Sequence, residues 1–210
     1  MNARTSCMIV TLLVGLAIPS APAYGGLDID LGATVQIGND TSLYIAISSR
    51  YFDQDRGAVE RLGIRFDNPD DLAVCLFIAR HSGRSGEQIY FLRKGGMSWW
   101  EISARLDLRP EIWFVAVERD PGPPYGKAYG YRNKQRKNRD YVWRLTDGEI
   151  RDLVAVRMIH EYYSMPVEAA MEIRATGKSL TLLMTEEYAR RHGKGPKHKP
   201  GKGRGRNKAR

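Results

Sequence analysis

The side chains with the plainest chemistry in this sequence are cations. Ten of them close the chain: Arg190, Arg191, Lys194, Lys197, Lys199, Lys202, Arg204, Arg206, Lys208 and Arg210, with no acid among them. Such a run attracts anions by charge alone, an attraction that salt screens. The targets expected for it are anionic envelope polymer, lipid headgroups or nucleic acid. The formal net charge is +9, so 9 − 10 = −1 is left for everything before the run. The basic character therefore belongs to this end and not to a basic globular face. A second group lies between Asp120 and Tyr141, at Tyr125, Lys127, Tyr129, Tyr131, Arg132, Lys134, Arg136 and Lys137. Tyrosines among cations stack on bases or sugars while Lys and Arg hold phosphates or carboxylates. The competing reading is a linker, with an extended path set by Pro and Gly, rings packed on neighbouring units, and charges left in solvent.

Catalytic spacings are missing from the sequence. The histidines are His81, His160, His192 and His198, and no His-x-x-x-His or Cys-x-x-Cys pair offers metal ligands. There is no Gly-x-Ser-x-Gly or dinucleotide fingerprint. Gly177-Lys178-Ser179 ends like a phosphate loop, but Ala170-Met171-Glu172-Ile173-Arg174-Ala175-Thr176 precedes it where a glycine is needed. We expect a non-enzymatic binding protein with no catalytic residue, cofactor or metal. An exported enzyme whose carboxylates meet only in three dimensions is the alternative, and a protein partner is a further expectation.

The first 23 residues bear on where this chemistry operates. Arg4 precedes an apolar run, Met8 to Pro19, too short to span a bilayer comfortably, and Ala21-Pro22-Ala23 places small residues for cleavage after Ala23. This is the pattern of a secretory signal peptide, so export to the periplasm or beyond is expected. An uncleaved membrane anchor is the competing reading. Without Cys7, one cysteine is left, Cys75, in the apolar run Leu72 to Ile78, where an inert buried thiol is expected.

The elements that must position these groups read as helices. Asp71 to Ser98 lies over Asp152 to Ser179 at a constant offset, matching Asp71/Asp152, Leu72/Leu153, Ile78/Ile159, Glu87/Glu168, Arg93/Arg174, Gly96/Gly177 and Ser98/Ser179. A self-match at fixed spacing implies a duplicated supersecondary unit, and chance is the alternative. Asn68, Ser85, Ser98, Thr146 and Ser179 are placed to cap helix N-termini. Gly96 and Gly177 are each expected to end a helix with positive φ. Trp99, Ile102 and Leu106 should line the inner face of a third helix. Before the repeats, Ala33 to Ile37 and Leu43 to Ile47 alternate around Gly38-Asn39-Asp40, which predicts a β-hairpin, with a helix through Ser42 to Tyr51 as the competitor.

Gly96-Met97-Ser98-Trp99-Trp100-Glu101-Ile102, with Leu106 after it, resembles bacterial helix-turn-helix units. That resemblance would place a recognition helix at Arg109 to Val117, but this segment offers mainly apolar groups, whereas base edges need Arg, Lys, Asn or Gln. An intracellular nucleic-acid-binding protein with a false signal sequence is thus a further alternative. The chain also resembles a group of uncharacterised secreted bacterial proteins, on the stretch Gly122-Pro123-Pro124-Tyr125-Gly126-Lys127-Ala128-Tyr129-Gly130-Tyr131 and the unit endings Lys94-Gly95-Gly96-Met97-Ser98 and Gly177-Lys178-Ser179. The resemblance implies export and implies no activity.

The expected architecture is mainly α (α+β): two duplicated helix-turn-helix-like three-helix units with a small N-terminal β-hairpin. Its divisions are a signal peptide (1–23), a hairpin or helix segment (24–67), repeat one (68–119), a Pro/Gly/Tyr-rich basic linker (120–141), repeat two (142–189) and a basic tail (190–210). Within the tail, His192 to Arg206 has no apolar residue to bury, and Gly and Pro recur through it, so disorder is expected.

Overall fold

A computed structural model describes residues 40–138 and 140–193 of the chain. The expected signal peptide, residues 33–39 of the expected hairpin and the tail from Lys194 onward lie outside the described residues. Within them the protein is helical: α1 (Asp40–Phe52), α2 (Arg56–Gly63), α3 (Pro69–Ser82), α4 (Gly86–Lys94), α5 (Trp99–Arg105), a 3-10 helix (Pro110–Trp113), α6 (Gly126–Lys137), α7 (Asp147–Tyr163), α8 (Val167–Arg174) and α9 (Leu180–His192). No described residue is in a strand.

The caps set these boundaries. Asn68 accepts from the Asp70 N–H with Pro69 in the first turn, and Ser85, Ser98 and Thr146 each form a reciprocal box with Gln88, Glu101 and Glu149. The backbone N–H and hydroxyl of Ser98 hold the Glu101 carboxyl below its ordinary range. Gly96 and Gly177 turn the chain at φ 89° and 80°, after α4 and α8.

The β-hairpin is a correction. Leu43 to Ile47 lies inside α1, where Tyr44, Ile47, Ser48 and Tyr51 are buried at helical spacing. Five alternating residues are too few to separate a period of 2.0 from one of 3.6. The decision came from burial against α2, α3 and α9. The Tyr44 hydroxyl donates to the Pro69 carbonyl at 3.3 Å and ties α1 to the start of α3.

α3 is the axle. Leu72 to Ala79 are all buried, so this helix is apolar around its whole girth and needs neighbours on every side. α1, α4, α7 and α9 supply them. Cys75 sits in that axle, its thiol 3.3 Å from the Gly86 carbonyl, and burial pushes its pKa far above the ordinary value. α7 contributes Ile150, Leu153, Val154, Val156, Met158 and Ile159 to the same core, and Trp99, Ile102 and Trp113 fill it from the other side. Leu106 is partly buried against it. No described helix is long and apolar enough to cross a membrane.

Candidate functional site

The basic stretch between the expected repeats is not an extended linker. Residues 126–137 form α6, held by two phenols of the stretch. Tyr125 is buried and donates to the Met171 carbonyl at 3.2 Å; Tyr129 is buried and donates to the Val115 carbonyl at 3.0 Å. Both rings are inside the core, so neither is placed to meet a ligand, and burial raises both phenol pKa values. Asn133 adds a surface tie, donating to both Asp120 carboxylate oxygens at 2.8 and 2.9 Å.

With Ala128 and Tyr129 turned inward, α6 exposes Lys127, Lys134, Arg136 and Lys137 and leaves Arg132 half-buried. It carries Lys127, Arg132, Lys134, Arg136 and Lys137 and no acid. Among the described residues none of these five makes an ion pair. Three lie over aromatic rings instead: Lys127 over Tyr131 at 5.8 Å, Arg132 over Phe114 at 5.3 Å and Lys134 over Tyr141 at 5.7 Å. The segment after α6 brings Trp143 alongside. Its ring is 6.2 Å from Tyr131, 5.8 Å from Phe114 and 5.0 Å from Trp100. Tyr131, Tyr141 and Trp143 are half-buried, and Val142 is 91% exposed. The site is therefore a cationic ridge beside an aromatic shelf.

Trp100, Tyr141 and Trp143 were not among the residues singled out in the sequence. The run Tyr141-Val142-Trp143-Arg144 directly after the basic stretch was the available signal.

The ten terminal cations divide. Arg190 and Arg191 end α9 and are both bound by Glu187, at 2.5 Å in each case. Burial works to raise the Glu187 pKa, and the two guanidinium groups overcome it and hold the carboxyl low. The other eight lie outside the described residues.

A second concentration of charge lies between the two sets of helices. Asp70, in the first turn of α3, accepts from the Leu180 N–H at the start of α9 (2.8 Å) and from Arg174 Nη2 (2.6 Å). Asp147, in the first turn of α7, accepts from the Trp99 N–H at the start of α5 (2.8 Å) and pairs with Arg93 (2.6 Å). Asp71 receives Arg151 Nε at 2.6 Å and the Trp99 indole N–H at 2.8 Å. A shallow cleft beside this network is lined by Arg65, Asp71, Tyr90, Arg93, Lys94 and Arg151. Its three arginines are held by Glu87, Asp147 and Asp71. That charge is spent inside the protein, unlike the charge of α6.

The histidines are used locally. His160 Nδ1 lies 2.5 Å from the Met165 carbonyl, His192 Nδ1 lies 3.0 Å from the Tyr188 carbonyl, and His81 rests on Phe77 at 4.3 Å. Among the described residues no three His, Cys, Asp or Glu are grouped to hold a metal ion. Where a recognition helix was sought, the chain makes the 3-10 helix and then extended residues, with Trp113, Phe114 and Val115 buried. No family model matches this chain, and neither does any curated protein or solved structure.

Proposed function

We propose that this is an exported, non-enzymatic protein that binds anionic polymers through α6 and the basic run from Lys194 onward. The observation that carries the reading is the unpaired state of Lys127, Arg132, Lys134, Arg136 and Lys137 on one acid-free helix. Elsewhere in the described residues, Arg93, Arg151 and Arg174, set between packed helices, are matched with carboxylates. Five unmatched cations on one helix attract an anion without first breaking an internal pair. The eight cations from Lys194 onward add a second, purely electrostatic contribution. Acidic envelope polymer, anionic lipid headgroups and nucleic acid share the chemistry that this surface recognises.

The framework that presents α6 is, in this proposal, a pair of duplicated three-helix units. Its support is a set of contacts recurring at matched positions. Arg93 Nη1 donates to the Met97 carbonyl at 2.9 Å, and Arg174 Nη1 donates to the Lys178 carbonyl at 2.8 Å. Trp99 and Leu180, also matched, each donate a backbone N–H to an aspartate from the first turn of the other unit's first helix.

The test is salt-gradient elution from a heparin column. The full mature chain is compared with a variant carrying Gln at the five α6 positions, one ending at Gly193, and their combination. Each change should lower the salt needed for elution, and the combination should abolish retention with the thermal transition intact. Retention of the combined variant at the original salt would overturn the reading. For export, the periplasmic or secreted fraction should contain a chain that begins at Tyr24; a cytoplasmic chain keeping residues 1–23 would refute that part.

A further inference from the structure

We propose that the shelf formed by Trp143 and Tyr131 beside α6 is a binding site for single-stranded nucleic acid. This rests on the polyanion reading above and narrows it to one ligand class.

The first argument is the kind of hydrogen-bonding group on offer. The ridge supplies cationic donors: Lys127, Arg132, Lys134, Arg136 and Lys137. The carboxylates around it are engaged or set to one side. Asp120 is occupied by Asn133, Glu101 is occupied by Ser98, and Asp140 lies past the C-terminal end of the helix. The five charged side chains are donors only, and a phosphodiester backbone brings the acceptors that meet them.

The second argument is the rings. Trp143 and Tyr131 have ring centroids 6.2 Å apart and planes 31° from parallel, and Lys127 lies over Tyr131 at 5.8 Å, so rings and charge adjoin. Trp100 and Phe114 meet Trp143 at 56° and 53°, propping it at an angle instead of covering it face to face. Both shelf rings are half-buried, so their orientation is set before a ligand arrives. Half-buried rings interleaved with cations match a polymer that carries both planar groups and phosphates. In a duplex those planar faces are stacked on each other and closed to the shelf. In a lipid headgroup they do not exist. A single strand leaves them free. Nothing in the ridge is placed to read base edges, so binding should be tolerant of sequence.

The test uses the full mature chain with three probes: fluorescein-labelled oligothymidylate, the same strand paired with oligoadenylate, and inorganic polyphosphate. Anisotropy gives the dissociation constants, at one low salt concentration. Oligothymidylate should bind tightest. Trp143→Ala should weaken oligothymidylate by about tenfold and leave polyphosphate unchanged. Trp143→Phe, which keeps a stacking ring, should recover most of the loss and shows that the Ala effect is not unfolding. The inference is overturned if Trp143→Ala weakens both probes equally or neither, or if the duplex binds as tightly as the single strand. The broader polyanion reading fails on a different result, namely polyphosphate binding that survives Gln at all five α6 positions together with truncation at Gly193.

Discussion

Removing the Arg174 guanidinium should be among the most damaging single changes in the described structure. That group bridges Asp70 at 2.6 Å and Asp152 at 2.9 Å, and also donates to the Lys178 carbonyl at 2.8 Å. The Arg174 side chain is 10% exposed and that of Asp70 is 6% exposed. Burial works against the Arg174 charge, and Asp70 and Asp152 overcome it, so its pKa stands above the ordinary value. In Arg174→Ala the Asp70 carboxylate keeps the Leu180 N–H but loses its counter-ion in a nearly dry place. The expected cost is about 3–5 kcal/mol, the range for breaking one side of a buried pair. The more open pair, Arg93 with Asp147, has side chains 22% and 25% exposed. There water replaces much of what is lost, and Arg93→Ala should cost roughly 1 kcal/mol from the ion pair. Urea unfolding followed by far-ultraviolet circular dichroism measures both. The diagnostic is the double variant. Adding Asp70→Asn to Arg174→Ala removes the orphaned charge while leaving an oxygen for the Leu180 N–H, so the double variant should be more stable than Arg174→Ala alone. A loss for Arg174→Ala under about 1 kcal/mol, or a double variant less stable than the single, would refute the reasoning.

Two further outcomes are expected. Gly96 and Gly177 have φ of 89° and 80°, and an added Cβ meets no atom within 4 Å at either, so Ala should cost backbone strain alone, about 1–2 kcal/mol, and Asn less. Equal stability of the Ala and Gly proteins at both positions, read by thermal melting, would contradict this. His81 has its pKa lowered, first by burial and then by the Arg157 and Arg80 cations, so the unfolded chain takes up this proton more readily than the folded one. Its contribution is complete above the unfolded value of about 6.5 and is lost as pH falls toward the lower folded value. His81→Gln should flatten the stability profile on that side, and an unchanged slope in pH-dependent urea titrations would rule the histidine out.

How much of this was readable beforehand follows the range of the interactions. The caps at Asn68, Ser85, Ser98 and Thr146 were readable because donor and acceptor lie within three residues. Gly96 and Gly177 were readable because positive φ excludes most other residues. α1 was misread because Leu43 to Ile47 alternates over too short a length, and two helices distant in sequence decide its face. The course of residues 120–141 was misread for a related reason. Pro and Gly there signal an irregular path, but Tyr125 and Tyr129 find carbonyls at Met171 and Val115, and that long-range anchoring makes residues 126–137 helical. The same two anchors removed two of the three singled-out tyrosines from the candidate site and left the cations. Trp143 joins the site only through the turn after α6, which no local pattern specifies. The pairing of Asp70 with Arg174 spans 104 residues and had no local signature at all.

The crossed aspartates bear on how the molecule comes apart. Asp147 completes the start of α5, and Asp70 completes the start of α9, so each half of the chain holds the missing end of a helix in the other. Neither half keeps a finished third helix once the other lets go. Loss of either half leaves an aspartate facing an empty position and one N–H at a helix start without its partner. Intermediates with one half intact are thereby penalised from both sides. The two halves already share one core around α3, and two carboxylates exchanged across the middle add a polar coupling to it.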